Sequence, residues 1–141
     1  MVIGPQEVLK DDYDVIFVDE SHRLVRRKGI TSYGSFDDAC LKLGLNPETA
    51  TQLDMIQKKS RYSVVVYDRC QTVKASDLTC GQFMLSLKLH KRNAHIVTLQ
   101  TQMRCEGGGS YLEYLDAIFG VIKTDFYQVE NYDFKIWDDP N

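Results

Sequence analysis

The stretch Val15-Ile16-Phe17-Val18-Asp19-Glu20-Ser21-His22-Arg23 decides how the rest of the chain is read. Four consecutive apolar residues, two of them valine, fit a strand buried on both faces, as in a parallel sheet. Two adjacent carboxylates follow where that strand must end. Carboxylates at the carboxyl end of a parallel strand face the crevice in which open α/β sheets bind ligands. There Asp19 can act as a hard oxygen ligand for Mg2+, and Glu20 can take a proton from water. A short strand ending in acids also arises by chance, so the pattern needs support from elsewhere in the chain.

Two later segments supply it. Ser63-Val64-Val65-Val66-Tyr67-Asp68-Arg69-Cys70-Gln71 is a second apolar strand pattern, ending in an acid with a glutamine three residues on. His95-Ile96-Val97-Thr98-Leu99-Gln100-Thr101-Gln102-Met103-Arg104 is a third, followed by a polar run and an arginine. Acid pair, Asp-x-x-Gln and Arg, in that order, resemble motifs II, III and IV of superfamily 1 helicases, with Asp19-Glu20 in the place of the Walker B acids. The finer resemblance is to the helicase-like domain of the Schlafen group III type. There the acid motif runs on into His-Arg-Leu, here His22-Arg23-Leu24, and the motif IV arginine precedes Cys, glycines, Ser and a Tyr-Leu helix. The corresponding run here is Arg104-Cys105-Glu106-Gly107-Gly108-Gly109-Ser110-Tyr111-Leu112. The tail Tyr132-Asp133-Phe134-Lys135-Ile136-Trp137-Asp138 is similar to the strand that follows in that family.

The resemblance implies a RecA-like P-loop NTPase core, with Mg2+ and ATP as cofactors and DNA or RNA as a further partner. It implies Asp19 as the Mg2+ ligand, Glu20 as the activator of water, and Asp68 and His22 near the nucleotide. Gln71 is implied as sensor of the γ-phosphate, and Arg104 as the cation that meets developing phosphate charge, a task suited to its permanently charged guanidinium. One departure stands out. Motif III of the superfamily has glycine before its aspartate, whereas Tyr67 stands here, and a bulky side chain is expected to crowd the phosphate side.

No Gly-x-x-x-x-Gly-Lys-Ser/Thr loop occurs in the 141 residues, and nothing corresponds to motifs V and VI of a second motor lobe. The expected architecture is therefore a single partial domain over residues 1–141, part of motor lobe 1. It is an α/β parallel sheet with flanking helices that lacks the phosphate-loop strand. Strand edges left open in this way expose unpaired N–H and C=O groups and invite self-association. Gly107 to Ser110 reads as a flexible lead into a helix capped by Ser110, with Glu113 completing a capping box.

Composition fits a soluble, cytoplasmic domain: 43% hydrophobic and 26% charged residues leave enough apolar material for a core. No apolar run approaches the ~20 residues that span a bilayer, and the N-terminus has no signal pattern. Cys40, Cys70, Cys80 and Cys105 show no zinc spacing and read as reduced thiols. The net charge of −3 gives no global attraction to nucleic acid. Two basic clusters, Arg23-Arg26-Arg27-Lys28 and Lys88-His90-Lys91-Arg92, read first as solvated surface, the former in an exposed loop over 23–33.

The remaining pattern alternates helices with strands. Ser35 caps a helix with Phe36, Ala39, Cys40 and Leu43 inward and Gly44 as its stop. Asn46 and Pro47 announce a second helix with Ala50, Leu53 and Ile56 as its apolar line. A strand over 62–67, a helix from Ser76 to His90 burying Leu78, Phe83, Leu85 and Leu89, a strand over 95–99, a helix over 111–119 ended by Gly120 and a strand over 133–137 complete the reading. Two classes of function follow. One is part of an ATP-dependent helicase-like or translocase motor. The other is a non-catalytic relic or protein-interaction module that keeps the sheet. A metal-dependent nuclease using Asp19, Glu20 and Asp68 ranks last, because no lysine or histidine completes such a site.

Overall fold

A computed structural model of the chain describes residues 2–89, 94–99 and 108–120. Strands β1 (Tyr13–Val18) and β2 (Ser60–Val65) pair in parallel, with Val15 opposite Tyr62, Phe17 opposite Val64 and Val18 opposite Val65. Parallel strands need a long crossover, and here it contains helices α1 (Tyr33–Lys42) and α2 (Gln52–Lys59). Helix α3 (Cys80–Leu89) follows β2. The chain divides into two compact units, Met1–His95 and Ile96–Asn141, and helix α4 (Gly108–Ile118) belongs to the second. The architecture is α/β, with a two-stranded parallel sheet and four α-helices among the described residues.

The pleat of the strands sorts their side chains onto two faces. Val18 joins Val8, Leu24, Leu53, Ile56 and Leu78 in a buried cluster, with Ile16, Val65 and Phe83 packed against it. A second cluster holds Phe36, Ala39 and Cys40 of α1 with Ala50 and Met55. On the opposite face Val15, Phe17, Tyr62, Val64 and Val66 are exposed, from 41% for Val66 to 66% for Phe17. The expectation of strands buried on both faces is therefore corrected: among the described residues only one face carries a packed layer. A continuous apolar run permits double burial but does not require it.

Local hydrogen bonding moved several helix starts. Helix α1 ends as Gly44 dictates: its φ is +66°, and the Gly44 and Leu45 N–H groups donate to the Leu41 and Cys40 carbonyls at 3.0 and 2.9 Å. Its start lies at Tyr33, ahead of Ser35. Asn46 does not open a helix; its side chain accepts from Glu48 N–H at 3.0 Å and closes a turn, the usual competition between Asx turns and caps. Helix α2 starts instead from Thr51, whose hydroxyl accepts from Asp54 N–H (3.3 Å) while Asp54 Oδ2 accepts from Thr51 N–H (2.7 Å). This reciprocal pair satisfies two donors that the helix start leaves open. Helix α3 starts at Cys80 rather than Ser76, and Thr79 and Gln82 repeat the device: Thr79 Oγ1 donates to Gln82 Oε1 at 2.8 Å and accepts from Gln82 N–H at 3.3 Å. Leu85, expected inside, is 53% exposed.

Strand β2 runs two residues earlier than the 62–67 pattern, so Tyr67 and Asp68 lie beyond its end. Residues 94–99 carry no regular secondary structure, which corrects the expected strand at 95–99. Ser110 lies inside α4, not at its cap, because the helix begins at Gly108. Gly120, with φ +70°, ends that helix as expected. The segments 100–107 and 121–141, with Arg104 and the expected strand at 133–137, lie outside the described residues.

Asp54 ties the two helices together, since Ser86 of α3 donates to its Oδ1 at 2.7 Å in a buried position. Thr51→Ala removes the cap and one donor, the Thr51 hydroxyl 2.7 Å from Oδ2, from a buried carboxylate. It is expected to lower stability by about 2 kcal/mol, the upper end for a lost N-cap. Urea unfolding of the two proteins measures the difference, and an unchanged midpoint contradicts the network.

Candidate functional site

The parallel register sends Asp19-Glu20 and Asp68 out of the same end of neighbouring strands. Val66 N–H donates to Val18 O at 2.9 Å, carrying the ladder just past β2. The Val66 carbonyl then accepts from both Ser21 N–H (2.9 Å) and Ser21 Oγ (2.7 Å), with Ser21 fully buried. This serine locks the acid pair to the end of β2. The sequence reading missed it, and its only signal was a small polar residue directly after two acids.

Chain reversal between Asp19 and Ser21 forces Glu20 into the left-handed region, at φ 51° and ψ 39°. Glu20 is the one non-glycine residue with positive φ among the described residues. For an L-residue with a long side chain this costs about 1–2 kcal/mol. Asp19 Oδ1 accepts Glu20 N–H at 2.9 Å, which steadies the turn.

Behind the pair lies His22, 1% exposed. Its Nε2 sits 3.1 Å from Glu20 Oε2, but the approach is off-axis, and neither ring nitrogen has an aligned hydrogen bond. A buried polar group left so is uncommon and carries a cost. Tyr67 stands edge-on to the imidazole, with centroids 6.4 Å apart and planes at 75°, and stacks on Phe83 at 4.3 Å and 17°. Its hydroxyl donates to Leu78 O at 3.1 Å. Tyr67 is thus folded against His22 and α3: the second position past β2 turns inward here.

Asp68 opens a short 3-10 turn, Arg69–Gln71, and both its oxygens are engaged. Oδ1 accepts Cys70 N–H and Oδ2 accepts the Gln71 side-chain amide, each at 2.8 Å. The Gln71 amide, the Cys70 N–H and the nearby His22 and Arg69 together outweigh partial burial and hold the Asp68 carboxyl below the usual range. Asp68 and Gln71 therefore act as one bonded pair, exposed at the strand end. Arg104 lies outside the described residues.

The basic stretch after the acid motif is not a loose loop. Leu78 N–H donates to Leu24 O (2.8 Å), Arg26 N–H to Ser76 O (2.9 Å) and Gln52 N–H to Val25 O (2.9 Å), so residues 24–26 are stitched on both sides. Arg27 forks onto Asp37 at 2.8 and 3.0 Å and reaches Glu48 at 3.1 Å. Arg26 Nε donates to Ala75 O at 3.1 Å. Solvated surface is corrected for Arg27, taken up by two acids; Arg23 stays exposed with one long contact to Asp77, and Arg26 bonds a carbonyl.

Asp77 anchors this hub, buried, accepting from Val73 N–H (3.1 Å), Lys74 N–H (2.9 Å) and Arg23 Nη1 (3.4 Å). Burial raises its pKa, but the Lys74 and Val73 N–H groups and the Arg23 and Lys74 charges outweigh it and hold the carboxyl below its ordinary value. A folded pKa below the unfolded one, about 3.9, gives stability that is present above that pH and lost as pH falls through the folded value. Asp77→Asn is expected to lose stability at neutral pH and to flatten the acid limb of Tm against pH. Parallel acid limbs in the two proteins contradict the assignment.

The donor set suits Mg2+, which is held by one or two carboxylates and keeps several waters. Asp19 is exposed with Oδ2 unpartnered among the described residues, and Glu20 is half exposed. No cluster of three or more His, Cys, Asp or Glu residues with metal-holding geometry occurs among the described residues, so the chain offers an outer carboxylate rather than a cage. Cys40, Cys70 and Cys80 are free thiols, and burial pushes Cys40 up to about 11. No helix among the described residues is long and apolar enough to cross a membrane.

Taken together, the strands and their ends define a parallel α/β module with an acid pair and an Asp-x-x-Gln turn side by side. The family described as Schlafen group 3, DNA/RNA helicase domain, matches residues 2–141, and the chain belongs to it. No curated protein and no solved structure matches the chain.

The left-handed turn yields a direct test. Glycine has no Cβ penalty there, so Glu20→Gly is expected to be at least as stable as the wild type and about 1 kcal/mol more stable than Glu20→Ala. Thermal unfolding reads the order, and equal stability of the two variants contradicts the geometry.

Proposed function

We propose that this chain supplies the acid-bearing part of an ATP-hydrolysing, Mg2+-dependent helicase-like or translocase motor, built on a RecA-like sheet and acting on DNA or RNA in the cytoplasm. The observation that carries this reading is the parallel pairing of β1 with β2, after which the acid pair and the Asp68–Gln71 turn follow the same end of neighbouring strands. Bound Mg2+ neutralises charge on the phosphates of ATP. Asp19 would hold a hydrated Mg2+ through Oδ2, the oxygen without a partner among the described residues. Glu20 orients the attacking water and takes its proton. Gln71 reaches the γ-phosphate by releasing Asp68, and that exchange makes it a sensor. Arg104 would supply the cation that meets phosphate charge, and His22 acts from behind Glu20.

A second reading is a non-catalytic interaction module. The exposed apolar face of Val15, Phe17, Tyr62, Val64 and Val66 favours it, since contiguous apolar surface of this kind marks contact sites. The same face, and strand edges with no further strand paired to them among the described residues, support self-association.

Calorimetry and kinetics separate the two. The 141 residues hold no Gly-x-x-x-x-Gly-Lys-Ser/Thr motif, the sequence that builds the nest of N–H groups and the lysine for a triphosphate, so the chain is expected to bind Mg-ATP more weakly than micromolar. In a protein that joins it to a phosphate-binding loop, Glu20→Gln is expected to lower kcat by ~10²–10⁴ with ATP affinity retained. Arg104→Ala is expected to slow turnover as well. Unchanged rates in both variants, with the wild type active, exclude this site as the hydrolytic one.

A further inference from the structure

We infer that Tyr67 is a positioning residue for the acid pair, acting on Glu20 through His22. The inference rests on Glu20 being the group that activates water. His22 is almost wholly buried, yet no aligned hydrogen bond fixes either ring nitrogen among the described residues. Its orientation is therefore set by packing, and Tyr67 is the aromatic ring that stands against it. Edge-to-face contacts are directional, worth about 0.5–1.5 kcal/mol beyond burial. The imidazole cannot turn without losing that contact.

Tyr67 is itself fixed from three directions. Phe83 stacks on its face, Leu78 O accepts its hydroxyl, and Thr72 Oγ1 lies 3.4 Å from the same oxygen. These partners belong to the 72–79 loop and to α3. The order Phe83, Tyr67, His22, Glu20 is a continuous run of contacts from α3 to the carboxylate, ending at the 3.1 Å approach of Nε2 to Oε2. A glycine at position 67 removes the ring that orients His22, and with it the fixed point to which the Glu20 carboxylate is drawn. A displacement of α3 reaches the acid pair by the same route.

The test uses the isotope-labelled 141-residue chain in solution, reading the His22 ring nitrogens and the Glu20 carboxyl and backbone resonances by NMR. Tyr67→Phe keeps the ring and drops the hydroxyl, and is expected to leave the His22 and Glu20 signals at their wild-type positions. Tyr67→Leu is expected to shift both, while the amides of Val15 and Val64 stay in place. A Tyr67→Leu protein whose Thr72, Leu78 and Phe83 signals move while Glu20 does not overturns the proposal, because Tyr67 then serves only the local packing. Should Tyr67→Leu fail to fold, Phe83→Leu decides: it keeps Tyr67 but removes its stacking partner, so a shift at Glu20 supports the proposal and an unmoved Glu20 overturns it. Mn2+ added to the wild-type chain tests the Mg2+ reading separately, through broadening at Asp19. Loss of that broadening with the Glu20 shifts intact separates failure of the nucleotide reading from failure of this one.

Discussion

The Val66 carbonyl is the constraint on which the rest of the candidate site depends. One oxygen accepts two hydrogen bonds from Ser21, at its N–H and its hydroxyl, one residue beyond the end of β2. Because β1 and β2 are parallel, this bond is what converts neighbouring strand ends into a single site. It fixes the turn that follows β1, and so dictates the left-handed backbone at Glu20, the burial of His22 behind it and the path of Leu24 to Arg26 toward the 72–79 loop. A serine is needed because the position is fully buried, where an unpaired hydroxyl or N–H is costly and a doubly bonded one is not.

Much of this was legible in the chain. The apolar runs before Asp19 and Asp68 marked two strands, their separation required a crossover, and the crossover contains the two helices expected between them. Gly44 and Gly120 ended helices because each sits at a positive φ that other residues avoid. The order of acid pair, Asp-x-x-Gln and arginine marked the family. Helix starts were less legible, for a physical reason: Asn46, Ser76 and Ser110 are competent caps, but so are Thr51 and Thr79, and tertiary packing chose between them. Ser86 reaches Asp54 only when α2 starts at Thr51.

Charge was the hardest signal to read. Arg23, Arg26 and Arg27 look like a solvated or phosphate-binding run, since a sequence cannot say which acids fold toward them. Asp37 and Glu48 neutralise Arg27, Asp77 takes Arg23, and a carbonyl takes Arg26. These contacts hold the loop in place, and Arg27, forked onto Asp37 and reaching Glu48, is the cluster's most fully neutralised charge. Tyr67 was misjudged for a related reason. Its residue type suggested obstruction, but a strand that ends two residues before the apolar run does lets the chain turn, and the ring goes inward.

Costs in this unit are not spread evenly. Helices α2 and α3 begin with satisfied caps, Asp77 Oδ2 accepts three hydrogen bonds, Arg27 meets two acids, and two apolar clusters fill the interior. Beside the strand ends, two unfavourable features lie within a few residues among the described residues: a glutamate in a left-handed turn and a buried imidazole without an aligned partner. Each has a cheaper alternative in stability terms, glycine at 20 and an apolar residue at 22. Sequences that satisfy local rules almost everywhere and break them together in one place do so where function sets the terms. The acid pair and the groups behind it form such a place, and that concentration of local cost, more than the presence of two carboxylates, argues that this end of the sheet is where the chain acts.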